Sequence, residues 1–166
     1  TMPLSPKAGG LSALYQNCLF HSDVRVDAHE HVARELADHV LRWKHGVPDA
    51  AMFKGQLNRL QMYVLRYGAE VDVTPRPFDD FALVHTSLAG GAEIECDGHR
   101  IEVTEGRTAV LAPRQRIRMR WYPGTQVLWA AVQERDGLGD DLVPDYFTSV
   151  KTGGFYGWPY AYIGPN

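Results

Sequence analysis

Ile94-Glu95-Cys96-Asp97-Gly98-His99-Arg100-Ile101 is the stretch on which the reading of this chain turns. Apolar and polar residues alternate on both sides of Asp97-Gly98, and in a strand that alternation sends successive side chains to opposite faces. Asp-Gly between two such runs predicts a two-residue hairpin, because both turn positions take positive φ, which glycine adopts freely and aspartate tolerates. The next run, Val103-Thr-Glu-Gly106-Arg-Thr-Ala-Val-Leu-Ala-Pro113, turns at Glu105-Gly106 and enters a buried strand over Ala109–Ala112 that Pro113 ends.

Period two extends in both directions from this hairpin. Upstream, Leu60, Met62 and Val64 share one side of a strand, Tyr63, Leu65 and Tyr67 share the other, and Gly68 ends it. Val71 and Val73 begin a shorter strand stopped by Pro75 and Pro77, and Phe81–Thr86 forms another. Downstream, Arg114, Arg116, Arg118 and Arg120 alternate with Gln115, Ile117, Met119 and Trp121. As a strand this carries four guanidiniums on one face and an apolar row on the other. Four like charges in a row need acidic neighbours, which Glu93 and Glu95 would supply across the sheet. A solvated face is therefore the first reading, and a docking surface for a DNA-binding domain or a nucleic-acid backbone is the alternative.

A helix is expected ahead of the strands. Ala28, Val32, Leu36 and Val40 form an i, i+4 stripe, and Asp27 with Glu30 three residues on reads as a capping box. This helix should end near Gly46, with Pro48 preventing its continuation. Leu11–Phe20 fits a short helix or a strand equally well. Many short strands, tight turns and one leading helix define a mainly β fold, a small barrel or sandwich.

The 166 residues suffice for one domain with a sizeable core and not for two full ones. A net charge of -3 argues against a nucleic-acid-binding domain, which carries a basic surplus. No apolar run approaches the roughly 18 residues of a membrane span, and Thr1–Gly10 lacks the pattern of a signal peptide. Cys18 and Cys96 have no metal or redox spacing and read as buried, reduced thiols. A cytoplasmic location is the expectation.

The segment Phe78 to Gly98, together with the turn–Gly–strand–Pro run that ends at Pro113, resembles the cupin-like sensor domain of AraC-type transcription regulators. The resemblance covers about residues 12–126. It implies a cupin-like β-barrel, or jelly roll, that binds a small-molecule effector. In such regulators dimer helices and two helix-turn-helix motifs follow the barrel. Nothing after Gln126 has the period of those parts, so this chain is not expected to contact nucleic acid directly.

A second resemblance begins near Val127–Leu128. Leu128 to Tyr146, and then Gly153-Gly-Phe-Tyr-Gly-Trp-Pro-Tyr160, are similar to part of a propeller-type sorbosone or aldose dehydrogenase that uses pyrroloquinoline quinone and Ca²⁺. The likeness would place Asp141 and Tyr156 near a structural Ca²⁺, and Tyr156 and Trp158 near the quinone. A single blade cannot enclose a cofactor, so no cofactor, metal or catalytic residue is expected. The division expected is a sensor domain over 1–127 and a dehydrogenase-like fragment over 128–166. The fragment forms an irregular, aromatic-rich tail that packs on the barrel or drives homo-oligomerisation.

Many cupins hold a metal through an HxH pair, a carboxylate and a third histidine. Here the early strand offers only His85, and Arg114-Gln115-Arg116 follows Pro113 where the third histidine would stand. The only HxH, His29-Glu30-His31, opens the expected helix, where i and i+2 diverge, and both histidines read as surface groups. His39 and His45 read as helix-end residues. The expected activity is therefore effector binding. Candidate pocket residues are the inward strand members Met62, Tyr63, His85, Gln115, Met119 and Trp121, around a small, aromatic or carboxylate ligand. For His85 a satisfied core histidine is the first reading and a pocket hydrogen-bonding group the second. The rival readings are a quinone-dependent dehydrogenase fragment and a folded chimera without selected activity.

Overall fold

The computed structural model describes residues 12–57, 60–79 and 81–133. Eleven strands and one α-helix are present among them. A short 3-10 turn, Ser12–Tyr15, precedes β1 (Cys18–Ser22) and α1 (Arg25–Glu35). The chain then forms β2 (His39–Trp43), β3 (Ala50–Leu57), β4 (Leu60–Arg66), β5 (Val71–Pro75) and β6 (Phe81–Ala89). It ends with β7 (Gly91–Cys96), β8 (His99–Thr104), β9 (Thr108–Leu111), β10 (Ile117–Trp121) and β11 (Gln126–Gln133).

The strands make two sheets. One has the order β1-β3-β4-β11-β6-β9, and the other β2-β5-β10-β7-β8. All the strand pairs are antiparallel. Inward residues of both sheets form one core, with Leu65, Tyr67 and Leu83 from the first sheet meeting Val71, Ile94, Met119 and Trp121 from the second. The apolar side chains point inward because burying them removes area from water at about 25 cal/mol per Å². The mainly β, cupin-like fold is thus present, while the aromatic tail lies outside the described residues.

The hairpin forms as its sequence dictates. Cys96 pairs with His99, and the two turn residues take φ of 48° at Asp97 and 81° at Gly98. A Cβ at Gly98 would meet nothing within 4 Å, so Gly98→Ala is expected to cost only the left-handed penalty of about 1 kcal/mol. At Gly68, φ is 78° and a Cβ would come 2.7 Å from the Asp49 backbone nitrogen. Gly68→Ala should therefore lose more, and urea unfolding of the two variants measures the difference.

In β10, Ile117, Met119 and Trp121 are buried while Arg118 and Arg120 face out. Arg118 sits opposite Glu95 and Arg120 opposite Glu93. Arg100 spans Glu93 and Glu95 at 3.6 and 3.5 Å, and Arg120 approaches Asp72 at 3.6 Å. The row of four arginines is shorter than its sequence suggests. Arg114 occupies a turn at φ 63°, and the alternation enters the sheet only at Ile117.

Three expectations need correction. The helix ends at Glu35 rather than near Gly46, because His39–Trp43 pairs with Val71–Pro75 as β2. Its N-terminus also lacks the expected capping box. Val24 is the N-cap and makes no side-chain cap bond, and the Asp27 carboxylate instead accepts from the Ser22 hydroxyl at 3.3 Å. The cysteines are less buried than expected: Cys18 is exposed and Cys96 only partly covered. The segment left open between helix and strand resolves as the 3-10 turn and β1. Its Tyr15 packs edge-on against Phe53, with ring centres 5.2 Å apart.

Candidate functional site

Between α1 and the open ends of the two sheets lies a cavity of about 230 Å³. Val32 of α1 and Leu36, the residue that caps its C-terminus, roof it, because the helix stripe has to bury its apolar side against the barrel. Tyr63 of β4, Leu83 of β6, Met119 of β10 and Trp129 of β11 form its walls, and Phe78 closes one side. These side chains converge because β4, β11 and β6 are neighbours in one sheet while β10 lies in the facing one.

The polar groups of the wall are few. Tyr63 donates its hydroxyl to Gln61 Oε1 at 3.3 Å. His39 of β2, only 7% exposed, donates from Nδ1 to the Ala37 carbonyl at 3.0 Å. A carbonyl only accepts, so the ring proton sits on Nδ1 and Nε2 presents a lone pair. Among the described residues that Nε2 is buried and has no partner. Burial chiefly lowers the His39 pKa, and the nearby His29 adds to this, while the Ala37 bond and Asp38 oppose it.

Below the cavity floor, Trp129 donates its indole N–H to His85 Nδ1 at 2.9 Å. An indole nitrogen can only donate, so the His85 proton is on Nε2. His85 is fully buried, and burial holds its pKa down to about 3. Trp121 lies edge-on to His85 and Trp129, with ring centres 5.8 and 5.4 Å away, and 5.2 Å from Tyr67. His85 Nε2, Trp121 Nε1 and the Tyr67 hydroxyl have no partner among the described residues.

The six sequence candidates therefore separate. Tyr63 and Met119 line the cavity, whereas His85 and Trp121 lie beneath it, joined to it through Trp129. Met62 is opposite Gly55 and Ala130, on the strand face away from Tyr63, and Gln115 accepts from Cys96 Sγ at 3.0 Å beside the hairpin. Neither belongs to the cavity wall. His39, Trp129 and Phe78 were missed. The period-two run His39-Val40-Leu41-Arg42-Trp43 carried the signal for the first of them.

His29 and His31 are half-buried rather than surface groups. His29 Nε2 donates to the His39 carbonyl at 2.9 Å, and His31 Nδ1 to the Asp27 carbonyl at 2.8 Å. Among the described residues no three His, Cys, Asp or Glu side chains are grouped to hold a metal ion. A second, wider groove of about 410 Å³ crosses the outer face of the second sheet, and its arginines are interleaved with Asp72, Glu93 and Glu95. Asp141 and Tyr156 lie outside the described residues, as does the tail expected to self-associate. No helix among the described residues is long and apolar enough to cross a membrane.

Two antiparallel sheets closed around an apolar cavity, with a helix over its mouth, place the chain in the class of cupin-type barrels. The match of residues 28–144 to the AraC-binding-like domain narrows this further, and the chain belongs to that family. The matched region runs past Val127–Leu128, and β11 itself crosses that point, pairing with β4 and β6 on both sides of it. Among solved structures the AraC-like transcriptional activator CuxR is similar, with a TM-score of 0.56 and 14% identity. That alignment covers 69% of this chain and 46% of CuxR, so the chain spans about half of that protein's length. KdgF from Halomonas sp. aligns with a TM-score of 0.47 and 15% identity, over 57% of this chain and 88% of that one. No curated protein matches the sequence. None of these comparisons supports a quinone-dependent dehydrogenase origin for residues 128–166.

Proposed function

We propose that this chain is the effector-binding regulatory domain of an AraC-type transcription regulator, with the effector seated between α1 and the barrel. The observation that carries the reading is the cavity of about 230 Å³, apolar on most of its wall and marked by the polar atoms of His39 and Tyr63. An apolar enclosure with a few placed polar groups is the usual form of a small-ligand site. At about 30 Å³ for each water-sized unit, the space suits a ligand on the order of ten non-hydrogen atoms. Membership of the family supports the same function, since its barrels are sensor domains. The location beneath α1 also offers a route to regulation, because a ligand touching Val32 and Leu36 changes how the helix seats.

Native mass spectrometry of the purified protein against a denatured control tests the proposal. A retained small-molecule mass is expected, and Ala131→Trp at the cavity rim is expected to remove it. An adduct that survives Ala131→Trp would place the ligand elsewhere. A chain that stays bare against a broad small-molecule library would sink the reading.

A further inference from the structure

Among the residues that line the cavity, one buried polar atom has no hydrogen-bond partner among the described residues. Tyr63 gives its proton to Gln61, and His39 Nδ1 gives its own to Ala37. His39 Nε2 remains: a buried acceptor without a donor among the described residues, carried by a ring that lines the apolar enclosure. Leaving such a group unmatched is costly, and a ligand that supplies a donor recovers the loss.

The charges of the lining narrow the ligand further. No lysine or arginine lines the cavity, and Glu35 contributes a carboxylate at its edge. A carboxylate ligand would meet no fixed cation and one like charge. Resting on the cavity reading above, we infer that the effector is a small, uncharged and largely apolar molecule whose hydroxyl donates a hydrogen bond to His39 Nε2. Its ring or chain lies against Trp129, Met119 and Leu83. The lowered His39 pKa agrees with this, because the neutral imidazole is the form that accepts.

Three probes of matched shape test the inference by calorimetry near pH 7.5: 4-ethylphenol, 4-ethyltoluene and 4-ethylbenzoate. On a wall without an acceptor the hydrocarbon binds tighter, since the phenol must shed water for nothing in return. With His39 Nε2 available the order reverses, and the phenol is expected to bind about fivefold tighter than the hydrocarbon. His39→Phe should restore the hydrocarbon's advantage over the phenol. Should that variant fail to fold, the wild-type protein supplies the second measurement. The phenol's preference must vanish as the His39 ring, followed by its NMR signals, takes up a proton and loses its lone pair. Burial sets this titration first, followed by the Ala37 carbonyl, His29 on α1 and Asp38 with its partner Arg76, while Glu35 faces the same cavity.

If 4-ethyltoluene or 4-ethylbenzoate binds tightest to the wild type, the inference falls and the cavity reading stands. A phenol preference that persists in His39→Phe, or with His39 protonated, likewise overturns the inference alone. If none of the three binds, the inference falls, and the mass-spectrometric library screen decides the cavity reading.

Discussion

Between pH 6.5 and about 4.5 the domain is expected to lose about 2 kcal/mol of stability on account of His85 alone, the slope steepening toward about 1.4 kcal/mol per unit below about pH 5.5. The folded protein holds this imidazole down to about 3 by burying it, whereas in the unfolded chain it titrates near 6.5. In the window between those values the unfolded state binds a proton that the folded state refuses. Stability therefore rises with pH through the window, is fully present above about 6.5, and falls as acid is added. His39, lowered in the same direction, adds to the slope. Asp49, whose pKa is lowered chiefly by its hydrogen bond from His21, acts with the same sign at more acid pH. Urea midpoints taken at half-unit steps measure the slope. His85→Leu starts from a lower stability, because Trp129 loses its acceptor, but its slope should be visibly flatter. An unchanged slope would remove His85 from the account.

Trp129→Ala is expected to cost about 3–5 kcal/mol, the range for deleting a large buried aromatic. Trp129 is buried between the cavity and the His85–Trp121 cluster, so its loss opens a void on one side and strands an acceptor on the other. Trp129→Phe separates the two effects. It keeps one aromatic ring but removes the pyrrole ring with its N–H, and should cost about 1–3 kcal/mol, chiefly the penalty of an unsatisfied buried group. Equilibrium denaturation with a constant m-value reads both variants. A loss under about 1 kcal/mol for Trp129→Ala would mean that the barrel closes over the gap.

The parts of the fold legible in the sequence were those where one face is buried and the other wet. The Ile117–Trp121 strand shows that alternation cleanly, whereas the hairpin was legible from its Asp97-Gly98 turn, since β8 is exposed at every position but Val103. Ala50-Ala51-Met52 does not, because all three residues are buried and no alternation survives to mark β3. The end of α1 was ambiguous for a different reason. Val40 continues the helix stripe of Ala28, Val32 and Leu36, yet His39, Leu41 and Trp43 also follow period two. Pairing with β5 decided the matter and left Val40 55% exposed.

The site was half legible on the same grounds. Tyr63 and Met119 followed from inward alternation, whereas Met62 shows what a shift of one residue does to a strand assignment. Gln115 was misplaced because the chain turns at Arg114 before the alternation starts. His39 went with the helix, and Trp129 was divided from its sheet by a resemblance that began inside β11.

The position of β11 has a consequence for how the molecule comes into being. It is the last strand described, yet it lies in the middle of its sheet, between β4 and β6. During synthesis β1-β3-β4 and β6-β9 therefore emerge as two half-sheets, each with an unpaired edge, and wait until Gln126–Gln133 leaves the ribosome. Such edges are templates for pairing with other chains. The closing step joins residues far apart in sequence, which makes it intrinsically slow. A nascent chain halted before Gln126 would carry both open edges at once, the species most exposed to capture by chaperones or by its own neighbours.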